Sequence, residues 1–144
     1  MIRIICVSKI KESFYRDAIL EYMKRLQKYH KVIIDEVVDS DIKSEKELIL
    51  KKIKDNDYVV AMDIDGDGFT SLEFSSFLDK TFLITGCITF VIGGSDGLAD
   101  EVKNRADRRI SFSRLTFPHQ LFRVILLEQI YRSFKIIHNE SYHK

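Results

Sequence analysis

Short apolar runs rich in β-branched residues alternate with segments of helical periodicity, and this alternation constrains the fold more than any other feature of the sequence. The predicted strands are Met1–Val7, Val32–Val38, Tyr58–Met62, Cys87–Ile92 and Ile110–Ser113. The predicted helices are Ser13–Tyr29, Ser44–Lys54, a short one within Phe69–Thr81, Leu98–Arg105 and a long one from Pro118 to Ile137. This order predicts an α/β fold, a single domain over residues 1–144 with a mostly parallel sheet and helices on both faces.

The length and composition indicate one globular core. The chain has 144 residues, of which 45% are hydrophobic. No apolar run approaches the roughly 20 residues of a membrane span, so no membrane partner is expected. The run Ile2–Val7 is too short for a signal peptide and is followed by Lys9. Cys6 and Cys87 lie in strand-like runs, which predicts buried reduced thiols, a cytoplasmic location and no metal site.

Basic residues concentrate at the carboxyl-terminal end of the chain, although the net charge is only +1. Residues 101–144 contain nine of the 23 Lys and Arg residues but only four of the 22 Asp and Glu residues. A basic end of this kind could attract a polyanion such as a nucleic acid. An ordinary charged surface has the same composition, so both interpretations stay open at this point.

The long carboxyl-terminal helix is predicted to be apolar around nearly its whole circumference. A helix of this kind must be buried on both sides. In so small a chain one side can meet the sheet, and the other is expected to meet a second subunit, which predicts a homodimer. The apolar positions are Leu121, Phe122, Val124, Ile125, Leu126, Leu127, Ile130, Tyr131, Phe134, Ile136 and Ile137.

The acidic segment Asp63–Gly68 begins like the calcium loop of an EF-hand, with Asp at alternate positions followed by Gly. The twelfth position of such a loop is a bidentate Glu, but here it is Phe74. The preceding residues Tyr58–Met62 predict a strand where an EF-hand has a helix. We therefore interpret Asp63–Gly68 as an acidic surface turn and expect no functional calcium site.

Two predicted strands end in loops that lie close in sequence, Gly93–Gly97 and Phe112–Phe117. Open α/β sheets bind ligands at the carboxyl ends of their strands. Adjacent glycines let the backbone approach a ligand, so a bulky residue at Gly93 is expected to block binding and leave the fold intact. Asp96 would repel a phosphate, which favours a ligand with a cationic centre or a neutral adenine. Gly93–Gly97 could equally be a tight strand-to-helix turn, and His119 could simply cap or pack the last helix.

Several segments spread over the chain together resemble one known family. The matching residues are Phe90-Val-Ile-Gly-Gly-Ser-x-Gly97, Ser111-Phe-Ser-x-Leu-Thr-Phe-Pro-His-Gln120, Arg123-Val-Ile-Leu-Leu-Glu-Gln-Ile-Tyr-Arg132 and the terminal Tyr142-His143-Lys144. Val7–Glu12 and Tyr58–Asp63 match as well. The chain resembles the RlmH family, small SPOUT-class methyltransferases that act on N3 of a pseudouridine in large-subunit ribosomal RNA. Ser8 stands where this family often has glycine.

The resemblance implies a carboxyl-terminal trefoil knot, in which the last helix is threaded through an earlier loop. This departs from the general rule that chains are unknotted. The resemblance also implies S-adenosylmethionine as the cofactor. Apolar side chains would enclose its adenine ring, and backbone groups would form hydrogen bonds with the edge of that ring. The residues that it assigns to cofactor binding are Met62, Gly93, Phe112, Ser113, Arg114, Leu115, Thr116 and Phe117.

The resemblance further implies a catalytic role near the carboxyl terminus. N3 of the target carries a proton at neutral pH, so a group must accept it or stabilise the developing anion. His143 is the candidate base, and Arg123 and Lys144 are candidate electrostatic supports. Tyr142 is a candidate stacking or hydrogen-bonding partner, and a frayed, inactive tail is the alternative.

The expected partner is ribosomal RNA in the assembled ribosome. The target base must be reachable, which favours a splayed or loop nucleotide over a paired one. The alternative for the whole chain is a catalytically silent RNA- or nucleotide-binding α/β module that uses the same basic end.

Overall fold

A five-stranded parallel sheet forms the centre of the computed structural model, which describes residues 1–144. The strands are β1 (Ile2–Val7), β2 (Val32–Val37), β3 (Tyr58–Gly68), β4 (Ile88–Ile92) and β5 (Arg108–Ser111). The helices are α1 (Ser13–Leu26), α2 (Ile42–Lys52), α3 (Ser71–Thr81), α4 (Asp100–Arg105) and α5 (His119–Ile137). The strand order is β2-β1-β4-β3-β5, and every neighbouring pair is parallel. The predicted α/β fold is confirmed.

Helices cover both faces of the sheet because the strands carry buried apolar side chains on both faces. Ile4 belongs to the core under α1, α3 and α5, where it is joined by Leu127. Its neighbour Ile5 belongs to the opposite core, with Ile49 of α2 and Val102 of α4. Successive strand residues point to opposite faces, so β1 contributes to both cores.

Strand β3 is longer than predicted, and this corrects the interpretation of Asp63–Gly68 as a surface turn. β3 pairs with the edge strand β5 through Met62 and, after a register shift, again through Asp67. Gly66 permits this second contact, because a Cβ there would lie 2.7 Å from the backbone of Arg109. No group of three or more His, Cys, Asp or Glu side chains is arranged to hold a metal ion.

Capping side chains determine where the helices begin. The carboxylate of Asp41 accepts a hydrogen bond from the N–H of Ser44, so α2 begins two residues earlier than its apolar pattern predicts. Thr70 and Glu73 form a reciprocal capping box at the start of α3. Pro118 is the N-cap of α5 and not, as predicted, its first helical residue.

Helix α5 packs against α1 and α3. It buries Leu126, Ile130 and Phe134, and none of its apolar side chains is among the exposed large hydrophobic residues. Neighbours within the chain therefore cover more of α5 than its sequence pattern suggests, although Leu121 and Ile125 remain only half-buried. The homodimer and the trefoil knot stay predictions. None of the five helices combines the length and the apolar character that crossing a bilayer requires.

Both cysteines are free thiols, and Cys6 is buried while Cys87 is half-buried. Burial raises the pKa of the Cys6 thiol to about 12, against the opposing effect of the Arg123 guanidinium. The Cys6 thiol is therefore protonated and a poor nucleophile at neutral pH.

Candidate functional site

A cavity of about 440 Å³ lies at the carboxyl ends of β3, β4 and β5. These strand ends are where parallel α/β sheets bind ligands, and the volume is in the range of small-molecule sites. Its walls are the loops that follow β4 and β5 and the irregular end of β3. The lining residues are Met62–Asp65, Ile92–Leu98, Lys103, Ile110–Ser113, Leu115–Phe117, His119 and Phe122.

The loop after β4 is a compact backbone turn that depends on glycine at two positions. The N–H of Gly97 donates to the C=O of Gly94 at 3.0 Å, and Gly97 has a φ of +77°, which favours glycine. A Cβ on Gly93 would lie 2.6 Å from the carbonyl of Gly97. Gly93 is therefore required by the loop itself. A bulky residue there must shift this loop locally, and the expectation that the rest of the fold stays intact remains a prediction.

The loop after β5 presents apolar side chains and backbone polar groups to the cavity. Phe112 is held edge-on against Phe74, with the ring centroids 5.2 Å apart. Leu115 lines the cavity although it is 72% exposed. No backbone-to-backbone hydrogen bond involves residues 112–117. Two backbone groups of this loop bond side chains, the C=O of Ser113 to Oγ of Ser111 and the N–H of Leu115 to Oγ of Ser113. The other backbone groups, beside apolar side chains, are suited to a flat heteroaromatic ring, so this wall fits an adenine.

Seven of the eight residues predicted to bind the cofactor line this one cavity. Arg114 is the exception, because it is exposed and does not contribute to the lining. Sequence reasoning missed Asp63, Lys103 and Phe122. Asp63 and Lys103 reach the cavity through the irregular end of β3 and the orientation of α4, for which no local sequence signal exists.

Three carboxylates line the cavity, but Lys103 is the only Lys or Arg side chain that does so. The side chain of Asp63 is 6% exposed, and its Oδ2 lies 3.6 Å from Nζ of Lys103 and 3.7 Å from a guanidinium nitrogen of Arg109. Oδ1 of Asp63 accepts the N–H of Asp65 at 3.2 Å, whereas Oδ2 has no hydrogen bond. With Asp96 as the third carboxylate, this lining suits a ligand that carries a cationic centre such as a sulfonium.

Arg123, predicted as an electrostatic support, is 2% exposed and does not line the cavity. Its guanidinium pairs with Glu36 at 2.7 Å and donates to the C=O of Ser8 at 2.9 Å. Ser8 has a φ of +73°, and its Oγ lies 3.1 Å from Nε2 of His119, which lines the cavity. Arg123 thus fixes the first turns of α5 against the end of β1. Its direct role in catalysis stays a prediction.

The tail is held on the surface of α5 by what we call the tail network, Glu128, Arg132, Tyr142 and His143. Arg132 donates to the carboxylate of Glu128 at 2.6 Å, and the Tyr142 hydroxyl donates to the same oxygen at 3.1 Å. The guanidinium of Arg132 lies 4.8 Å from the centroid of the Tyr142 ring. Burial, assisted by the Glu128 charge, raises the pKa of Tyr142 to about 12. These contacts favour an ordered tail over a frayed one, with Lys144 exposed beyond it.

The ring of His143 is oriented by Arg132. A guanidinium nitrogen of Arg132 lies 3.1 Å from Nδ1 of His143, and a guanidinium can only donate. Nδ1 is therefore the acceptor, and the proton of the neutral ring is on Nε2. In this arrangement Nε2 can donate a hydrogen bond but cannot accept one, so a base role for His143 requires the ring to leave Arg132. No residue after Phe122 lines the cavity.

Comparisons with known proteins agree with this fold. The sequence matches the family described as "Predicted SPOUT methyltransferase" over residues 1–143. It is 52% identical to a Ribosomal RNA large subunit methyltransferase H of Clostridium botulinum and 50% identical to one of Clostridium perfringens. Both alignments cover 99% of each chain.

Solved structures of low sequence identity share the fold. A probable methylase family protein from Haemophilus influenzae Rd KW20 superposes with a TM-score of 0.59 at 12% identity, over 99% of this chain and 70% of that one. The SpoU methyltransferase AviRb from Streptomyces viridochromogenes, solved in complex with AdoMet, superposes with a TM-score of 0.51 at 12% identity. That match covers 92% of this chain and 57% of AviRb.

Proposed function

Because this chain belongs to the SPOUT methyltransferase family, within the group of ribosomal RNA large subunit methyltransferases H, we propose that it methylates N3 of a pseudouridine in large-subunit ribosomal RNA. S-adenosylmethionine is the proposed methyl donor. The observation that carries the proposal is the cavity at three strand ends. It collects seven of the eight residues assigned to the cofactor by the family resemblance.

The residues of the cavity fit the proposed cofactor in size and in chemistry. Phe112, Leu115 and Phe117 would enclose the adenine, and the backbone of the loop after β5 would bind its edge. Gly93 and its loop would lie against the rest of the molecule. When bound, the cofactor supplies a methyl group made electrophilic by a sulfonium. The chain's task is then to bring the target nitrogen into line and to exclude water.

The target nitrogen must lose a proton, and the tail is the proposed source of the group that assists this. In the present arrangement His143 donates from Nε2, which can stabilise negative charge that develops on the target base. If His143 accepts the proton, RNA binding must first separate it from Arg132. Lys144 is exposed and is proposed to contact a phosphate, and Tyr142 is proposed to orient its neighbours.

A homodimer explains why the tail and the cavity are separate within one chain. No tail residue lines the cavity, so a complete centre within one chain would require the tail to move. A second subunit packed on α5 could instead supply its tail. We infer that α5 forms the dimer interface through its half-buried apolar side chains, among them Leu121 and Ile125.

The proposed substrate is the assembled ribosome in the cytoplasm, and its methylation tests the function. Particles from cells that lack this protein are incubated with it and with labelled S-adenosylmethionine, and the RNA is digested and analysed by mass spectrometry. We expect about one N3-methylated pseudouridine per large subunit. Free large-subunit RNA serves as the comparison for the requirement of assembly.

Two controls make this experiment decisive. Particles from cells that contain the protein should accept no further methyl group, because their site is already modified. Particles without pseudouridine should accept none either. Methylation of an unmodified uridine or of another nucleotide would contradict the proposal, and so would the absence of any methylation.

A further inference from the structure

We propose that Lys103 binds the carboxylate of the amino-acid end of the cofactor and is positioned for this by Asp63. This inference deepens the proposed function and rests on it. It makes Lys103 a specificity-determining residue that distinguishes a ligand with the intact amino-acid group from related nucleosides that lack the carboxylate.

The ammonium of Lys103 is placed at the cavity without a hydrogen-bond partner. Lys103 extends from α4 and lines the cavity, and its side chain is 25% exposed. Its Nζ lies 3.6 Å from Oδ2 of Asp63, which is longer than a hydrogen bond between an ammonium and a carboxylate. The three donors of the ammonium therefore remain available for a ligand.

Asp63 attracts the ammonium of Lys103 without accepting a hydrogen bond from it. Its carboxylate is nine-tenths buried, and Oδ2 lies between Lys103 and Arg109 without a hydrogen bond to either. Arg109 does not line the large cavity. A buried carboxylate flanked by two cations keeps both in place by charge attraction. It leaves their hydrogen bonds to be made elsewhere.

The charges around the cavity favour a carboxylate ligand that also carries a positive charge. Lys103 is the only Lys or Arg in the lining, whereas Asp65 and Asp96 are also present. A phosphate would meet one cation and several carboxylates. An amino-acid group presents one carboxylate and one ammonium, which matches one lysine beside acidic side chains.

Calorimetry with three ligands tests this assignment without measuring activity. The ligands are S-adenosylmethionine, decarboxylated S-adenosylmethionine and 5′-methylthioadenosine. Lys103→Met should weaken the binding of S-adenosylmethionine by about 10- to 100-fold, as expected for loss of a charged hydrogen bond. Affinities for the other two ligands should be unchanged, because neither has a carboxylate.

Lys46→Met is the matched control. Lys46 pairs with Glu101 at the same 3.6 Å separation, and its side chain is 20% exposed, but it does not line the cavity. We expect Lys46→Met to bind all three ligands like the wild type. Thermal unfolding of both variants reports whether either substitution disturbs the fold.

The wild type provides a second test that needs no variant. It should bind S-adenosylmethionine about 10-fold or more tightly than the decarboxylated compound. Equal affinities, or an equal loss for all three ligands in Lys103→Met, would overturn the role of Lys103 and leave the proposed function standing. Failure of the wild type to bind S-adenosylmethionine at all would overturn both.

Discussion

The cavity and the tail network are built by different means. Backbone turns and apolar side chains form the cavity walls, and the loop of residues 112–117 makes no backbone-to-backbone hydrogen bond. The tail depends on side chains, with Glu128 accepting from Arg132 and from the Tyr142 hydroxyl. The cavity is therefore sensitive to changes of backbone shape, whereas the tail is sensitive to single polar substitutions.

Under the proposed function, this difference separates cofactor binding in the cavity from the chemistry assigned to the tail. A cavity of the observed composition can hold a cofactor, and the groups in its lining that can accept a proton are the carboxylates of Asp63, Asp65 and Asp96 and the ring of His119, which contacts Ser8. The tail carries a histidine and a lysine but no cavity. Changes in the tail should thus leave cofactor binding intact, and changes in the cavity should leave the tail network in place.

Deletion of residues 142–144 should have the largest effect. Methyl transfer to ribosomal particles should fall by about 10²- to 10⁴-fold, the usual consequence of losing a general acid–base group. Affinity for S-adenosylmethionine should stay near that of the wild type, because no deleted residue lines the cavity. Activity close to that of the wild type in the deleted protein would show instead that the tail is frayed and inactive.

Mixed dimers would show whether the two regions meet across subunits. A Gly93→Leu subunit has an impaired cavity, and a tail-deleted subunit has no tail. If the tail serves the partner's cavity, each mixed dimer regains one intact centre. About a quarter of the wild-type activity should return after random exchange. Activity that stays at the level of the two parents would place the tail and the cavity in the same subunit.

Gly93→Ala should impair the cavity and leave the tail in place. The added Cβ would lie 2.6 Å from the carbonyl of Gly97, so the loop must shift. We expect about 10-fold weaker binding of S-adenosylmethionine and about 1–3 kcal/mol lower stability. Gly86→Ala is the matched control, because a Cβ there has no atom within 4 Å. Unchanged affinity in Gly93→Ala would show that this loop is not part of the binding site.

The sequence predicted the order of the elements because their period and composition are local properties. The end of β3 could not be predicted in this way. Its second contact with β5 depends on Gly66 meeting the backbone of Arg109, two segments that are distant in the chain. The acidic residues of Asp63–Gly68 therefore suggested a turn. In the fold they belong to β3, and two of them, Asp63 and Asp65, line the cavity.

The candidate site was predictable only in part. From the residues alone, two strand-end loops indicated a ligand site, and the individual cofactor residues came from the family resemblance. The burial of Arg123 against Glu36 has no local signal. Neither does the contact between Arg132 and His143, which lie 11 residues apart and meet only because the chain reverses after α5.

The smallest predicted effect concerns Glu140, which anchors the turn between α5 and the tail. Its carboxylate accepts from Lys28 and Lys135 at 3.0 Å each and from the Tyr29 hydroxyl at 2.9 Å. Hydrogen bonds from Lys28, Lys135 and Tyr29, in that order of effect, lower the pKa of Glu140 from 4.5 to about 2.

A lowered folded-state pKa means that the anchor contributes its full stabilisation above about pH 4.5. That contribution declines as the pH falls and is lost once the pH passes through about 2. Carboxyl NMR titration should therefore show Glu140 still ionised at pH 3.5, and the resonances of Tyr29, which bonds Glu140, should not yet show release of the turn at that pH. In Glu140→Gln the turn should already be loosened at neutral pH, with the resonances of Gly93–Gly97 unchanged because the cavity loop has no contact with this anchor.

Two results would contradict this account. A Glu140 pKa near 4.5 would show that the turn is not held by these contacts. Shifts at Gly93–Gly97 in Glu140→Gln would show that the tail and the cavity are coupled within one chain.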